Sequence, residues 1–227
     1  MFASDRLALA VRYTELLATE GVTRGLIGPR EAARLWERHV LNSAVLSEAI
    51  PHGATVCDIG TGAGLPGLVV AIARPDISMI LVEPLLRRTT FLDEVVAELG
   101  LGHVQVVRGR AEDVHGKATY DVVTSRAVAP LERLLGWSMP LVAPTGALVA
   151  MKGQSVRDEI VAAGAALETW RCAPPEVLGL GRDVVDPQTI VVRVSWADPT
   201  QIGWPLARRP EKARRRQDRR PVRGKAN

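Results

Sequence analysis

Apolar residues recur at helical spacing along the first fifty residues of the chain. Between Ser4 and Glu20 they fall on one broad face and predict an amphipathic helix, with Ser4 as its N-cap and Gly21 as its end. A second helix is predicted to begin at Pro29 and to end before Pro51. The two apolar stripes consist of Leu7, Val11, Leu16 and Leu17, and of Leu35, Trp36, Val40 and Leu46.

From about residue 54 the pattern changes to short apolar runs that alternate with helical stretches. Strands are predicted at residues 54–59, 78–82, 104–107, 121–124, 147–151 and 189–196. Helices are predicted at residues 65–73 and 91–99. Because strands alternate with helices and the strand runs are apolar throughout, the pattern predicts βαβ units around a mostly parallel sheet.

The composition excludes several classes of protein. Hydrophobic residues make up 47% and charged residues 24% of the 227 positions, as in a globular protein with a sizeable core. No apolar run is long enough for a membrane span, and the N-terminus has no signal-peptide pattern, so we expect no membrane partner. The two cysteines, Cys57 and Cys172, form neither a disulfide framework nor a metal-binding pair, which indicates a cytoplasmic protein without a metal site.

Positive charge is concentrated at the C-terminus. Residues 205–227 contain ten of the 29 Lys and Arg residues and two of the 25 acidic ones, so this tail carries +8 and the remainder −4. The tail has almost no apolar residues and is predicted to be disordered, either as an RNA-binding arm or as a solubilising extension. The predicted organisation is N-terminal helices at residues 1–52, a core at 53–204 and a basic tail at 205–227.

A glycine-rich segment, Asp-Ile-Gly-Thr-Gly-Ala-Gly-Leu-Pro-Gly at residues 58–67, follows the first predicted strand and precedes a helix. Gly62, Gly64 and Gly67 satisfy the spacing of a dinucleotide fingerprint, although a proline precedes the last glycine. The alternative spacing, an acidic residue followed by Gly60, Gly62 and Gly64, resembles motif I of the class I S-adenosylmethionine-dependent methyltransferases. The glycine segment alone therefore fits two kinds of nucleotide ligand.

Carboxylates accompany this segment on successive strands. Asp58 suits a ligand with an ammonium and a sulfonium group, and Glu83, 25 residues later, ends the second strand, where a carboxylate accepts both ribose hydroxyls. After the third strand, Ala111 and Glu112 resemble the segment that contacts adenine in these methyltransferases. Together they predict a Rossmann-like class I methyltransferase, with a mostly parallel seven-stranded sheet and two N-terminal helices, and S-adenosyl-L-methionine as its cofactor.

The sequence also narrows the choice of methyl acceptor. Residues 124–130 read Thr-Ser-Arg-Ala-Val-Ala-Pro, so the Asn/Asp-Pro-Pro-aromatic motif of exocyclic-amine methylation is absent. Neither cysteine is placed to attack a pyrimidine, and before the tail only Lys117 and Lys152 are available for a lysine-centred ribose methylation. Guanine N7 remains as the candidate methyl acceptor. Its in-plane lone pair can attack without loss of a proton, so catalysis rests on positioning and electrostatics.

Five segments, taken in order along the chain, resemble the bacterial 16S ribosomal RNA guanine-N7 methyltransferases, also called glucose-inhibited division protein B. They are Glu-Arg-His-Val-Leu-Asn-Ser at residues 37–43, the glycine segment, and residues 84–88, 125–127 and 152–153. The resemblance covers about residues 25–154. It implies a guanine in the decoding region of 16S ribosomal RNA, within the 30S subunit, as the target, and we expect the enzyme to act as a monomer.

The resemblance also implies roles for individual residues. Cofactor contacts would fall on Gly60, Leu65, Ala111, Glu112 and Arg126, and RNA or active-site contacts on His39, Arg126 and Lys152. The chain departs from the family at residues 186–189, where Asp-Pro-Gln-Thr stands in place of an Arg-His pair. The basic tail is also outside the common core of the family.

Other functions stay open from the residues alone. The first is a nicotinamide-dependent oxidoreductase that uses Gly62, Gly64 and Gly67. The second is a non-catalytic RNA-binding or ribosome-assembly factor with the same pocket. The third is a methyltransferase that acts on another RNA or on a small molecule.

Overall fold

Seven strands form a single sheet in the computed structural model, which describes residues 2–203. The strands lie in the order β3-β2-β1-β4-β5-β7-β6, with β1 to β5 parallel and β7 antiparallel to both of its neighbours. They span Thr55–Ile59, Ser78–Glu83, Val104–Arg108, Tyr120–Arg126, Val142–Lys152, Glu176–Leu180 and Thr189–Ser195. The predicted mostly parallel, seven-stranded sheet is thereby confirmed.

Helices pack on both faces of the sheet. The α-helices α1 to α8 span Ser4–Leu16, Asn42–Ala44, Gly67–Ala73, Leu86–Glu98, Ala111–Val114, Leu131–Ser138, Val156–Ala162 and Gly164–Thr169. One hydrophobic cluster joins α1, α3 and α4 to one face of the sheet, and a second joins α6, α7 and α8 to the other. Among the described residues, no helix is long and apolar enough to cross a bilayer.

The first helix begins and packs differently from the prediction. Ala3, not Ser4, is the N-cap, and no side chain in the described part of the chain caps the helix. Leu7 and Val11 are exposed, because the helix turns Ala10 and Tyr13 toward α3 instead. The small alanine allows close approach and the aromatic ring fills the space behind it, so the expected buried stripe is wrong at its first two positions.

The second predicted helix is divided into four short helical pieces. In chain order they are a 3-10 turn at Pro29–Arg34, a π-helical segment at Leu35–Leu41, the short helix α2, and a second 3-10 turn at Val45–Ala49. Such widened turns change the direction of side chains along the segment. Here the change allows His39 to point toward the sheet while Leu35 and Val40 remain buried in the core.

The remaining differences are elements that the sequence pattern did not locate, namely strand β6 and helices α5 to α8. Strand β6 was not located by the sequence pattern, because it lies at the edge of the sheet and only Leu180 of its five residues is buried. Both cysteines are free thiols, Cys57 within the core and Cys172 partly covered. The predicted division at residue 52 stays a prediction, and the basic tail at 205–227 lies outside the described residues.

Candidate active site

The glycine-rich loop follows β1 at the carboxyl edge of the sheet, between β2 and β4. Connections leave β1 and β4 in opposite directions at this point, which is where ligands bind in open α/β sheets. Gly60 and Gly64 have φ angles of +68° and +104°, a backbone region that residues with a Cβ rarely adopt. The backbone amide of Gly62 points to the second strand, where it donates to Oε2 of Glu83 at 3.1 Å.

Asp58 lies beneath this loop and is fully buried. Its Oδ2 accepts a hydrogen bond from the backbone amide of Gly67 at 2.9 Å, which fixes the start of α3. Its Oδ1 is buried and accepts no hydrogen bond from the other described residues. Burial raises the pKa of this carboxyl to about 7.

Glu83 ends β2 and is also almost completely buried. Besides the amide of Gly62, its carboxylate accepts the backbone amide of Leu85 at 3.1 Å and the guanidinium of Arg88 at 3.3 Å. These donors hold the carboxylate beside the glycine loop and compensate its burial. Glu83 therefore contacts the glycine loop directly, and its role toward ribose hydroxyls stays a prediction.

The third predicted contact segment lies one strand farther along the same edge. Helix α5 begins at Ala111, which is buried, while Glu112 is exposed. The backbone amide of Arg110 donates to Asp113 Oδ2 at 2.8 Å, so the turn before the helix is fixed. Leu65 is buried in the glycine loop, and its amide donates to Thr61.

Arg126 and His39 meet across 87 positions of sequence. Nη1 of Arg126 lies 2.9 Å from Nδ1 of His39, and Nε2 of His39 lies 2.8 Å from Oε2 of Glu31. Because a guanidinium can only donate, Nδ1 accepts, and His39 is neutral with its proton on Nε2. Burial lowers the pKa of both the Arg126 guanidinium and the His39 imidazole.

Tyr13 belongs to the same region, although no motif in the sequence points to it. Its hydroxyl donates to the carbonyl of Ala63 in the glycine loop at 2.8 Å, and the ring is fully buried. Burial raises the pKa of this hydroxyl well above its usual value, so it is a permanent donor. Helix α1 is thus attached to the loop through one phenol group.

Beside the glycine loop, the carboxyl ends of β4 and β5 and the amino end of the antiparallel β7 border an open cavity of about 1240 Å³. Its charged lining consists of four cationic side chains, Arg34, Arg38, Arg126 and Lys152, and three acidic ones, Glu37, Glu159 and Asp186. Lys152 is largely covered, since its Nζ donates to Glu159 Oε2 and to the carbonyl of Ala129, both at 2.8 Å. Of the residues that the sequence selected, Arg126 and Lys152 line this cavity, and His39 lies behind Arg126.

Comparison with known proteins decides the family. The family model described as rRNA small subunit methyltransferase G matches residues 6–183. The chain belongs to this family. Two proteins named Ribosomal RNA small subunit methyltransferase G are similar over most of their length. The one from a Nocardioides species is 65% identical over 91% of this chain and 83% of its own, and the one from Thermobifida fusca is 51% identical over 97% and 92%.

Solved structures support the fold of this methyltransferase family. TYW2 from M. jannaschii, in complex with AdoMet, superimposes with a TM-score of 0.55 at 15% identity, over 69% of this chain and 74% of that one. The B. subtilis M1A22 tRNA methyltransferase TrmK superimposes with a TM-score of 0.53 at 18% identity, over 72% and 67%. The class I methyltransferase fold predicted from the sequence is confirmed.

Proposed function

We propose that this member of the methyltransferase G family transfers a methyl group from S-adenosylmethionine to N7 of a guanine in 16S ribosomal RNA. The observation that carries the proposal is the adjacency of two regions at one sheet edge. A glycine loop with two buried carboxylates lies at β1 and β2, and a cavity with four cationic side chains, among them Arg38 and Arg126, lies at β4 and β5. Arg126 lies between them. This arrangement supports the binding of a cationic nucleoside at the glycine loop and of a polyanion in the cavity.

The residues around the glycine loop fit S-adenosylmethionine. Oδ1 of Asp58 is a buried acceptor that has no hydrogen-bond partner within residues 2–203, and Glu83 is fixed where ribose hydroxyls would replace part of its present contacts. We assign cofactor contacts to Asp58, Gly60, Gly62, Gly64, Leu65, Glu83, Ala111, Glu112 and Arg126. When bound, the cofactor supplies an electrophilic methyl group on a sulfonium sulfur.

The chain contributes positioning and electrostatics to this reaction. Guanine N7 carries an in-plane lone pair, so no side chain has to remove a proton from the acceptor. Arg126, oriented by neutral His39, would bind the carboxylate of the cofactor or the edge of the base. Lys152 belongs to the same cavity wall. Basic groups around the cavity would offset the few kcal/mol that unstacking the target base costs.

We further propose that the enzyme works as a cytoplasmic monomer on the 30S subunit. The two unpaired thiols support the proposal that the protein works in a reducing compartment. The experiment that tests the function uses radiolabelled S-adenosylmethionine with 30S subunits that lack the modification, and with free 16S RNA in parallel. Label recovered as 7-methylguanosine supports the proposal. Label on another nucleoside, or turnover without RNA, rejects the acceptor, and absence of both transfer and S-adenosylhomocysteine binding rejects the proposal as a whole.

A further inference from the structure

One carboxylate in the cavity wall has contacts that the proposed function does not use. Glu159 on α7 accepts two hydrogen bonds on the same oxygen, Oε2. One comes from Nζ of Lys152 at 2.8 Å, and the other from the backbone amide of Leu131 at 3.0 Å. Nζ of Lys152 also donates to the carbonyl of Ala129 at 2.8 Å. We call the Glu159–Lys152 pair, with these two backbone contacts, the clasp.

The clasp holds one end of the loop between β4 and α6, residues 127–130. This loop begins directly after Arg126, and Ala127 has a φ angle of +54°. Val128 covers the glycine loop closely, since its Cγ2 would lie 3.0 Å from a Cβ placed on Gly60. The loop is therefore in contact with the glycine loop at its centre and with the clasp at its far end.

The start of α6 explains why a carboxylate is needed there. The first amides of a helix have no acceptor within the helix, and Pro130, the N-cap, has no side chain that can supply one. Glu159 supplies an acceptor for Leu131, and its negative charge favours the positive end of the helix. Lys152 balances this charge, with only 8% of its side chain exposed.

We propose that Glu159 is a positioning residue of the methyltransferase, which acts through the clasp to fix residues 127–130 over the glycine loop. The inference rests on the proposed function, because the covered loop is the proposed cofactor site. It gives Lys152 a role as a cross-link within the protein in place of a contact with an RNA phosphate. If Lys152 is a cross-link within the protein, its loss changes the affinity for the cofactor. If it contacts an RNA phosphate, its loss changes the dependence of RNA binding on salt.

The experiment compares Glu159→Ala and Glu159→Gln with Asp158→Asn, which removes an exposed charge from the same helix. Glutamine keeps an acceptor for Leu131 without the charge, so we expect cofactor affinity to fall in the order wild type, Gln, Ala. Amide exchange of Val128, Ala129 and Leu131 is measured without ligand, and S-adenosylhomocysteine affinity is measured by calorimetry. For Glu159→Ala we expect faster exchange, about tenfold weaker affinity and a similar rise in KM for the cofactor, with kcat changed much less.

Lys152→Gln distinguishes the two roles of the lysine. Under the clasp proposal it weakens S-adenosylhomocysteine binding and leaves the salt dependence of 30S binding unchanged. A salt slope reduced by about one, with unchanged S-adenosylhomocysteine affinity, would identify a phosphate contact and overturn the proposal. The proposal would also be overturned if Glu159→Ala and Asp158→Asn had the same amide exchange and the same affinity for S-adenosylhomocysteine. If wild-type protein binds no S-adenosylhomocysteine, the proposed function fails, and the exchange measurement still decides whether the clasp holds the loop.

Discussion

Arg126 donates to Nδ1 of His39, and this contact joins the carboxyl end of β4 to the π-helical segment of the N-terminal region. The other ring nitrogen of His39 contacts Glu31. Since Nδ1 must accept, a proton on that nitrogen is incompatible with the contact. The position of a guanidinium beside the proposed cofactor site therefore depends on the charge of one imidazole.

This dependence predicts that the activity decreases at acidic pH. Burial lowers the pKa of His39, so the folded state favours neutral imidazole, and its stabilising contribution is lost as the pH falls from about 6.5 through the folded-state pKa. The charged groups that face the ring are Glu31, Arg38 and Arg126. We expect kcat/KM to decrease in the same range in which the His39 imidazole, followed by NMR, gains its proton.

Asp58 titrates in an overlapping range, because burial raises its pKa to about 7. His39→Asn separates the two groups, since asparagine cannot gain a proton. We expect this variant to be slower at neutral pH and to retain only the one-proton decrease that belongs to Asp58. A decrease at acidic pH as steep as that of the wild type would show that His39 does not contribute.

Arg126→Ala should remove most of the activity without unfolding the protein. It deletes the only cationic group that lies within hydrogen-bond distance of His39 among the described residues, beside the buried Asp58. We expect kcat/KM to fall on the order of 10²-fold, with Arg126→Lys recovering only part of the loss. Arg133→Ala, an exposed arginine on α6, serves as the control. Full turnover in Arg126→Ala would reject its place in the site.

Two glycines of the loop should differ sharply in their tolerance of alanine. A Cβ at Gly64 would lie 2.5 Å from Cδ1 of Leu68 and 2.8 Å from the Tyr13 hydroxyl, at a φ of +104°. A Cβ at Gly62 would meet nothing closer than 4.0 Å, at a φ of +65°. Urea unfolding should show a loss of about 3 kcal/mol or more for Gly64→Ala and roughly 1–2 kcal/mol for Gly62→Ala. Equal losses would mean that the loop adapts to the added carbon.

Arg74 should stabilise the fold without affecting catalysis. Its guanidinium donates to the carbonyls of Ser47, Ile50 and Pro51 and to both oxygens of Asp76, at the edge of the sheet opposite the site. We expect Arg74→Ala to lower the free energy of unfolding by about 1–2 kcal/mol, since part of the cluster faces water, with kcat/KM unchanged.

The pH dependence of this loss follows from Asp76. Arg74 holds the pKa of the Asp76 carboxyl well below its usual range, so the stabilisation is complete above about pH 4 and is lost as the pH falls below that value. Thermal unfolding at several pH values should show wild type and Arg74→Ala converging in acid. A constant difference would contradict the assignment.

The sequence was sufficient for strands that consist largely of apolar and β-branched residues. Strand β1 is buried from Val56 to Ile59, and β7 contains Ile190, Val191, Val192 and Val194, so both follow from the sequence pattern. Strand β6 is half-exposed and contains a glycine, and its pairing with β7 depends on tertiary contacts. The stripe of α1 was misjudged for the same reason, because it depends on the partner helix whether Leu7 or Ala10 is covered.

The candidate site divides in the same way. Arg126 and Lys152 were predictable neighbours, because both end parallel strands that pair directly. Tyr13, Glu31 and Glu159 were not, since each acts through a contact with a residue or loop that no local pattern links to it. Short-range spacing identifies the groups at strand ends, and only the folded chain identifies the groups that orient them.

Both ends of the described chain are needed to close the cavity. Oγ1 of Thr189 donates to Oδ1 of Asn42, and the amide of Gly181 donates to Glu48, so β6 and β7 are attached to the N-terminal region. Translation produces the glycine loop about 120 residues before it produces β7. During synthesis on the ribosome, the glycine loop is therefore made while the acceptor side still lacks a wall, and the cavity is completed only when β7 pairs with β5.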